Sequence, residues 1–110
     1  MILCVGEILV DMIANLENGT VSYERKAGGA PFNVACALAK FGAESCFVGS
    51  VGNDTIGSFL TSFIKKQNLK EYFLEQNPDR NTTLAFVDLD EEGERSFCFY
   101  RKNILLSFVF

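Results

Sequence analysis

Residues 28–35 read Gly-Gly-Ala-Pro-Phe-Asn-Val-Ala, and the architecture of the chain is built around this stretch. Two successive glycines let the backbone turn sharply or approach a ligand closely, and Pro31 suits the first turn of a helix. The helix that follows consists almost wholly of small or apolar residues and ends near Gly42, so we expect it to be buried. A tight strand-to-helix turn without any ligand is an alternative explanation of the same residues.

Strand and helix patterns alternate on both sides of this turn. Residues 2–5 are a short apolar run typical of a strand buried on both faces, and residues 45–51 and 72–74 are further strand candidates. Between the last two, apolar residues recur at helical spacing, which predicts a helix capped by Asn53 or Asp54. This order predicts an α/β fold with a parallel sheet and flanking helices. Three such strands make an incomplete sheet, so we expect one face or edge to be uncovered.

Two other segments have the pattern of antiparallel pairs outside the parallel sheet. Residues 8–25 contain two extended pieces on either side of the Asn18-Gly19 turn. Residues 82–100 contain two alternating runs separated by a loop with a glycine, which is a hairpin pattern.

Composition excludes several classes of function. Fourteen acidic and ten basic residues give a net charge of −4, which argues against binding nucleic acid through its phosphates. The chain has no histidine, the commonest general base and metal ligand. None of its four cysteines is within three residues of another, so we expect no zinc site and interpret the thiols as reduced core fillers of a cytoplasmic protein. No segment approaches the roughly 18 apolar residues of a membrane span.

Four ordered segments resemble the ribokinase-like carbohydrate kinases, also called the PfkB family. Residues 28–35 are similar to the first signature of the family, and residues 6–11 to its opening strand and substrate aspartate. Residues 49–57 match its G-x-V-G-x-D-x-x-G pattern. Residues 81–87 and 94–101 look most like the fructokinase branch. The resemblance covers nearly the whole chain and implies the N-terminal part of a ribokinase-like fold.

The resemblance implies a kinase that uses ATP and Mg²⁺ to phosphorylate a sugar, with fructose favoured and fructose 6-phosphate as its product. By the family pattern, Asp11 would hold substrate hydroxyls. Gly28, Gly29 and Asn33 would line the sugar pocket, and Arg101 would reach the sugar from the opposite side. Carboxylate and amide groups suit sugar hydroxyls. Taken without the resemblance, the residues favour an exposed carboxylate at a strand end for Asp11 and a solvated surface charge for Arg101.

The same resemblance implies that strands at about residues 12–25 and 82–100 form a small β lid over the sugar, which in several members also supports a homodimer. A lid excludes water that would compete as phosphoryl acceptor. Asp54 is interpreted as a helix N-cap or turn residue and not as a catalytic base, because the family's second signature, D-T-x-G-A-G-D, is absent from the chain. That signature carries the catalytic base and part of the nucleotide site. We therefore expect no catalytic residue here, no binding of ATP or Mg²⁺, and no activity of this chain alone.

Two hypotheses follow for the chain as a whole. In the first, residues 1–110 are the truncated N-terminal part of a sugar kinase domain. Residues 102–110 then form an atypical apolar tail of the kind that a frameshift or premature stop produces, with a partner-binding tail as the alternative. In the second, the chain is a non-catalytic module that pairs through its lid or edge strands with an intact kinase subunit.

Overall fold

A computed structural model of the chain describes residues 1–101. The apolar tail expected at residues 102–110 lies outside the described residues. In chain order, the elements within residues 1–101 are β1 (Ile2–Val5), β2 (Leu9–Glu17), β3 (Thr20–Gly28), α1 (Ala30–Lys40), β4 (Ser45–Gly52), α2 (Thr55–Lys65), β5 (Glu71–Asn77), β6 (Leu84–Leu89) and β7 (Arg95–Tyr100).

The first layer is a parallel sheet in the order β1-β4-β5, with both helices packed on one of its faces. Phe47 in the central strand is fully buried, and its ring meets that of Phe32 from α1 edge-on at 5.2 Å. Leu60 and Ile64 of α2 complete the same buried cluster. The predicted α/β fold with a parallel sheet and flanking helices is therefore confirmed.

The opposite face of this sheet is open within residues 1–101, as the incomplete sheet led us to expect. The prediction that β1 is buried on both faces is wrong, because Leu3 and Val5 are 62% and 43% exposed. These two side chains alternate with Cys4 and point away from the helices, and Phe73 of β5 is 60% exposed in register with them. Both helices cover only the Phe47 face, so the apolar character of β1 did not translate into burial.

The expected burial of α1 is also correct for one side only. Phe32, Ala35 and Ala39 are buried along the stripe that meets the sheet, whereas Val34 is 52% exposed. A single helix layer can bury only one stripe of an 11-residue helix.

The second layer is a four-stranded sheet in the order β3-β2-β6-β7. β2 and β3 form a hairpin whose turn residues Asn18 and Gly19 have φ of 52° and 78°, as a two-residue turn of this type requires. β6 runs parallel to β2, and β7 runs antiparallel to β6. Both predicted antiparallel pairs thus belong to one sheet, and the role of that sheet as a lid stays a prediction.

The cysteines do not all fill the core. Cys46 is buried and Cys4 and Cys36 are half-buried, but Cys98 is exposed, which corrects the interpretation of all four thiols as core fillers. β7 is an edge strand whose six residues are all exposed, so its alternating pattern has no buried side here. Neither helix within residues 1–101 has both the length and the apolar character that crossing a membrane demands.

Candidate functional site

The candidate site lies where the carboxyl end of β1 meets the four-stranded sheet. Ligands of open α/β sheets bind at the carboxyl ends of the parallel strands, and Glu7 lies at that end of β1. Strand register defines two faces of the four-stranded sheet. The site face carries a row of residues across all four strands, Lys26, Asp11, Ala85 and Phe99. The other face, called the outer face here, carries the neighbouring row, Arg25, Met12, Phe86 and Cys98. At one end of this row, Met12 packs against the buried cluster and Arg25 lies over the Phe59 ring of α2.

Gly28 and Gly29 allow the end of β3 to approach the junction of β1 and β2. A Cβ atom at Gly28 would overlap the Asp11 carboxylate, and one at Gly29 would overlap the carbonyl oxygen of Glu7. Gly29 also has φ of 106°, a conformation that L side chains rarely adopt. Close packing alone therefore requires both glycines, and the Asp11 carboxylate occupies the space that a side chain at Gly28 would take.

The Asp11 carboxylate is half-buried on the site face, one strand away from Gly28. Burial raises the pKa of Asp11 above its ordinary value, because removing a carboxylate from water disfavours its charged form. A partly desolvated carboxylate is a strong acceptor for hydroxyl donors that replace the lost water. These properties suit an acceptor of hydroxyl donors, and the role of Asp11 in holding sugar hydroxyls stays a prediction.

Arg101 lies on the site face but is held by a residue that the sequence analysis did not assign. Its Nη2 donates to Glu7 Oε1 at 2.8 Å, and each side chain is 25% exposed. The guanidinium stands 4.3 Å from the centre of the Phe99 ring. The signal for Glu7 was its position directly after a strand, at the carboxyl end of a parallel sheet. Direct contact of Arg101 with a sugar stays a prediction.

Asn33 does not join this cluster in the way that Gly28, Gly29, Asp11 and Arg101 do. It is exposed in the first turn of α1, where its backbone N–H donates to the carbonyl oxygen of Gly29 at 2.8 Å. It also borders a groove between the two helices, lined further by Ala27, Cys36, Lys40, Phe63 and Gln67. α1 begins without a side-chain cap, so the position of Asn33 keeps it near the open amides of that turn. Its role in a sugar pocket stays a prediction.

Asp54 is the N-cap of α2, as interpreted from the sequence. Its Oδ1 accepts from the Gly57 amide at 2.7 Å and the Thr82 hydroxyl at 2.6 Å, and its Oδ2 accepts from the Thr82 amide at 2.8 Å. Burial alone would raise the pKa of Asp54, but the hydrogen bonds from Thr82 and Gly57 outweigh it and hold the pKa below its ordinary value.

The glycines near Asp54 have the same structural purpose. A Cβ atom at Gly52 would overlap the backbone of residues 80–82, and one at Gly57 would overlap the carbonyl oxygen of Gly52. The G-x-V-G-x-D-x-x-G segment therefore ties the connection before β6 to the start of α2. It positions the four-stranded sheet on the helical layer.

Comparison with known proteins gives a consistent result. A sequence profile described as pfkB family carbohydrate kinase matches residues 1–107. Probable fructokinase-6, chloroplastic, of Arabidopsis thaliana is 38% identical over 104 residues, which are 91% of this chain and 27% of that protein.

Two solved structures resemble the fold closely. Fructokinase of Xylella fastidiosa with bound ATP has a TM-score of 0.81 and 43% identity, over 91% of this chain and 30% of that one. Fructokinase of Vibrio cholerae in a form that holds fructose, ADP and a calcium ion has a TM-score of 0.78 and 37% identity, over 94% and 32%. The chain spans less than a third of the length of each of these three relatives.

Proposed function

The chain belongs to the pfkB family of carbohydrate kinases, and we propose that it forms the sugar-binding part of a fructokinase. The reaction of the complete enzyme would be phosphoryl transfer from ATP to a hydroxyl of fructose, giving fructose 6-phosphate. One observation carries the proposal, namely that the half-buried Asp11 carboxylate lies against Gly28, where the end of β3 meets the carboxyl end of β1. The fructose-bound and ATP-bound relatives support the choice of sugar and phosphoryl donor.

Each residue at the site has a simple task in this proposal. The Asp11 carboxylate accepts hydrogen bonds from sugar hydroxyls, and its partial burial strengthens those bonds. Gly28 leaves room for that carboxylate, since any side chain there would overlap it and displace it from the site face. The four-stranded sheet acts as a lid that excludes water, which would otherwise compete with the sugar hydroxyl as acceptor of the phosphoryl group.

We propose that the site for ATP and Mg²⁺ is not formed by this chain alone. Within residues 1–101, no three His, Cys, Asp or Glu side chains are grouped so that they could hold a metal ion. The D-T-x-G-A-G-D signature is absent from the sequence. Because phosphoryl transfer depends on charge stabilisation around the phosphate, we propose that this chain alone is inactive. A cytoplasmic location is part of the same proposal, and cell fractionation would test it.

A fructose titration followed by amide NMR tests the sugar site directly. We expect shifts at Gly28 and Gly29 that saturate with fructose and vanish in Asp11→Asn. Asp79→Asn is the matched control, because Asp79 is exposed on the connection after β5. Shifts that are equal in both variants would contradict the proposed site. Fructose-dependent ADP production by the pure chain, above a heat-killed sample, would refute the inactivity.

A homodimer through the outer face of the four-stranded sheet is the second part of the proposal. Tyr23, Phe86 and Tyr100 form an aromatic cluster there, with edge-on ring pairs at 5.3 and 5.4 Å. Tyr23 and Tyr100 are 40% and 54% exposed, which is costly for an apolar surface unless a partner covers it. A self-complementary pair of these faces would bury both clusters. Pairing with an intact kinase subunit through the same face is the alternative.

A further inference from the structure

The ion pair between Glu7 and Arg101 joins two parts of the chain that are 94 positions apart. Arg101 follows β7, and side-chain alternation places it on the same face as Phe99. Its guanidinium lies over the Phe99 ring, and Phe99 is separated from Asp11 only by Ala85 in the register row. Two strand spacings, about 10 Å, separate Phe99 from Asp11, and the Arg101 guanidinium therefore lies on the Phe99 side of the site face, across from Asp11.

An arginine in this position would ordinarily attract anions. A guanidinium that is three-quarters buried pairs readily with a carboxylate or phosphate, because it presents paired donors and is weakly hydrated. Glu7 already supplies that carboxylate from within the chain, at 2.8 Å. The pair is neutral overall. The ionised Asp11 carboxylate on the other side of the site carries a negative charge. Lys26 adds a positive charge on the same face, but its side chain is exposed at the rim.

We propose that Glu7 is a specificity-determining positioning residue, which neutralises Arg101 and so restricts the site to neutral sugars. A sugar that carries a carboxylate would have to displace Glu7 from Arg101 and approach Asp11 against like charge. A neutral ketose meets neither obstacle. The inference rests on the proposed sugar-binding function and adds to it the charge class of the accepted substrate.

The test compares D-fructose and D-gluconate as ligands of the full chain, with binding measured by amide NMR shifts. Glu7→Gln keeps the shape of the side chain but removes its charge, so Arg101 becomes available to an anion. We expect the affinity for gluconate relative to fructose to rise at least tenfold in Glu7→Gln, with new shifts at Phe99. The double variant Glu7→Gln/Arg101→Gln should lose that gain.

Glu44→Gln is the matched control, because it breaks the exposed Glu44–Lys70 pair at the opposite end of β4. An unchanged ligand ratio in folded Glu7→Gln, or an equal change in Glu44→Gln, would overturn the inference. If Glu7→Gln does not fold, the wild-type chain decides the question. We expect it to bind fructose at least tenfold more tightly than gluconate, and equal affinities would overturn the inference. If fructose binds to no variant while gluconate binds to Glu7→Gln alone, the proposed function fails and the role of the ion pair stands.

Discussion

Replacing Asp54 with alanine is expected to lower the free energy of unfolding by about 3–5 kcal/mol. The carboxylate accepts three hydrogen bonds, one from Gly57 and two from Thr82. It therefore caps α2 and fastens the connection that leads into β6. Alanine removes all three acceptor contacts at once and supplies no substitute.

The magnitude follows from the burial of each donor. Loss of the helix cap accounts for about 1 kcal/mol. Thr82 is 2% exposed, so water cannot replace the lost acceptor, and a buried donor without a partner costs about 1–3 kcal/mol. The Thr82 hydroxyl also accepts from the Gly52 amide at 2.9 Å, so a shift of its side chain disturbs a further contact. Contributions that share one carboxylate do not add fully, which keeps the total near the stated range.

Urea unfolding followed by circular dichroism at pH 7 measures this change, provided that the slope of the transition is the same in each variant. Asp79→Ala is the control, since it makes the same substitution at an exposed position. If Asp54→Ala lies within about 0.5 kcal/mol of Asp79→Ala, the hydrogen-bond argument is wrong.

Thr82→Val gives an independent check of the same contacts. It removes only the hydroxyl, and we expect a smaller loss of about 1–3 kcal/mol. In the double variant with Asp54→Ala, the total loss of unfolding free energy should be smaller than the sum of the two single losses, because both substitutions remove the same Asp54–Thr82 contact.

Three further predictions concern the pH dependence of stability and the assembly of the chain. The Asp11 carboxyl has a raised pKa in the folded chain, so its ionisation opposes folding as pH rises. Asp11→Asn should therefore be more stable than wild type at pH 7 but not at pH 3, as measured by urea midpoints at both pH values. An equal difference in stability at both pH values would contradict this prediction. The lowered pKa of Asp54 has the opposite effect on stability. The stabilisation from the ionised carboxylate is complete above about pH 4 and is lost as pH falls through the folded pKa. Asp54→Asn should therefore weaken the fall in stability at acid pH, and an unchanged fall would argue against this prediction. Phe86→Glu should convert a dimer to a monomer in sedimentation velocity, whereas Ser22→Glu on the site face should not; a monomeric wild-type chain would refute the dimer.

Local patterns in the sequence predicted most of the elements. Helical spacing and the cap at Asp54 located α2, and the double glycine with Pro31 located the start of α1. β2 extends as far as Glu17, directly before the expected Asn18-Gly19 turn, because its hydrogen bonds with β3 outweigh the weak strand preference of Asn15. The candidate residues Asp11, Gly28 and Gly29 were found through motif resemblance, and the structure brings these three together.

Burial could not be predicted in the same way. Apolar strands and helices indicate that a surface can be buried, but whether it is buried depends on which other elements cover it. β1 and the outer stripe of α1 are therefore apolar and yet exposed within residues 1–101.

The sequence by itself determined the order of strands and helices, the helix cap and the family, because each of these depends on residues close together in the chain or on a motif. Only the tertiary structure decided the parallel pairing of β2 with β6, the clasp between Asp54 and Thr82, and the pair between Glu7 and Arg101. These contacts join residues 28 to 94 positions apart or strands that are distant in the chain. No local preference specifies such contacts, since they arise from how the two sheets pack once the chain has closed its long loops.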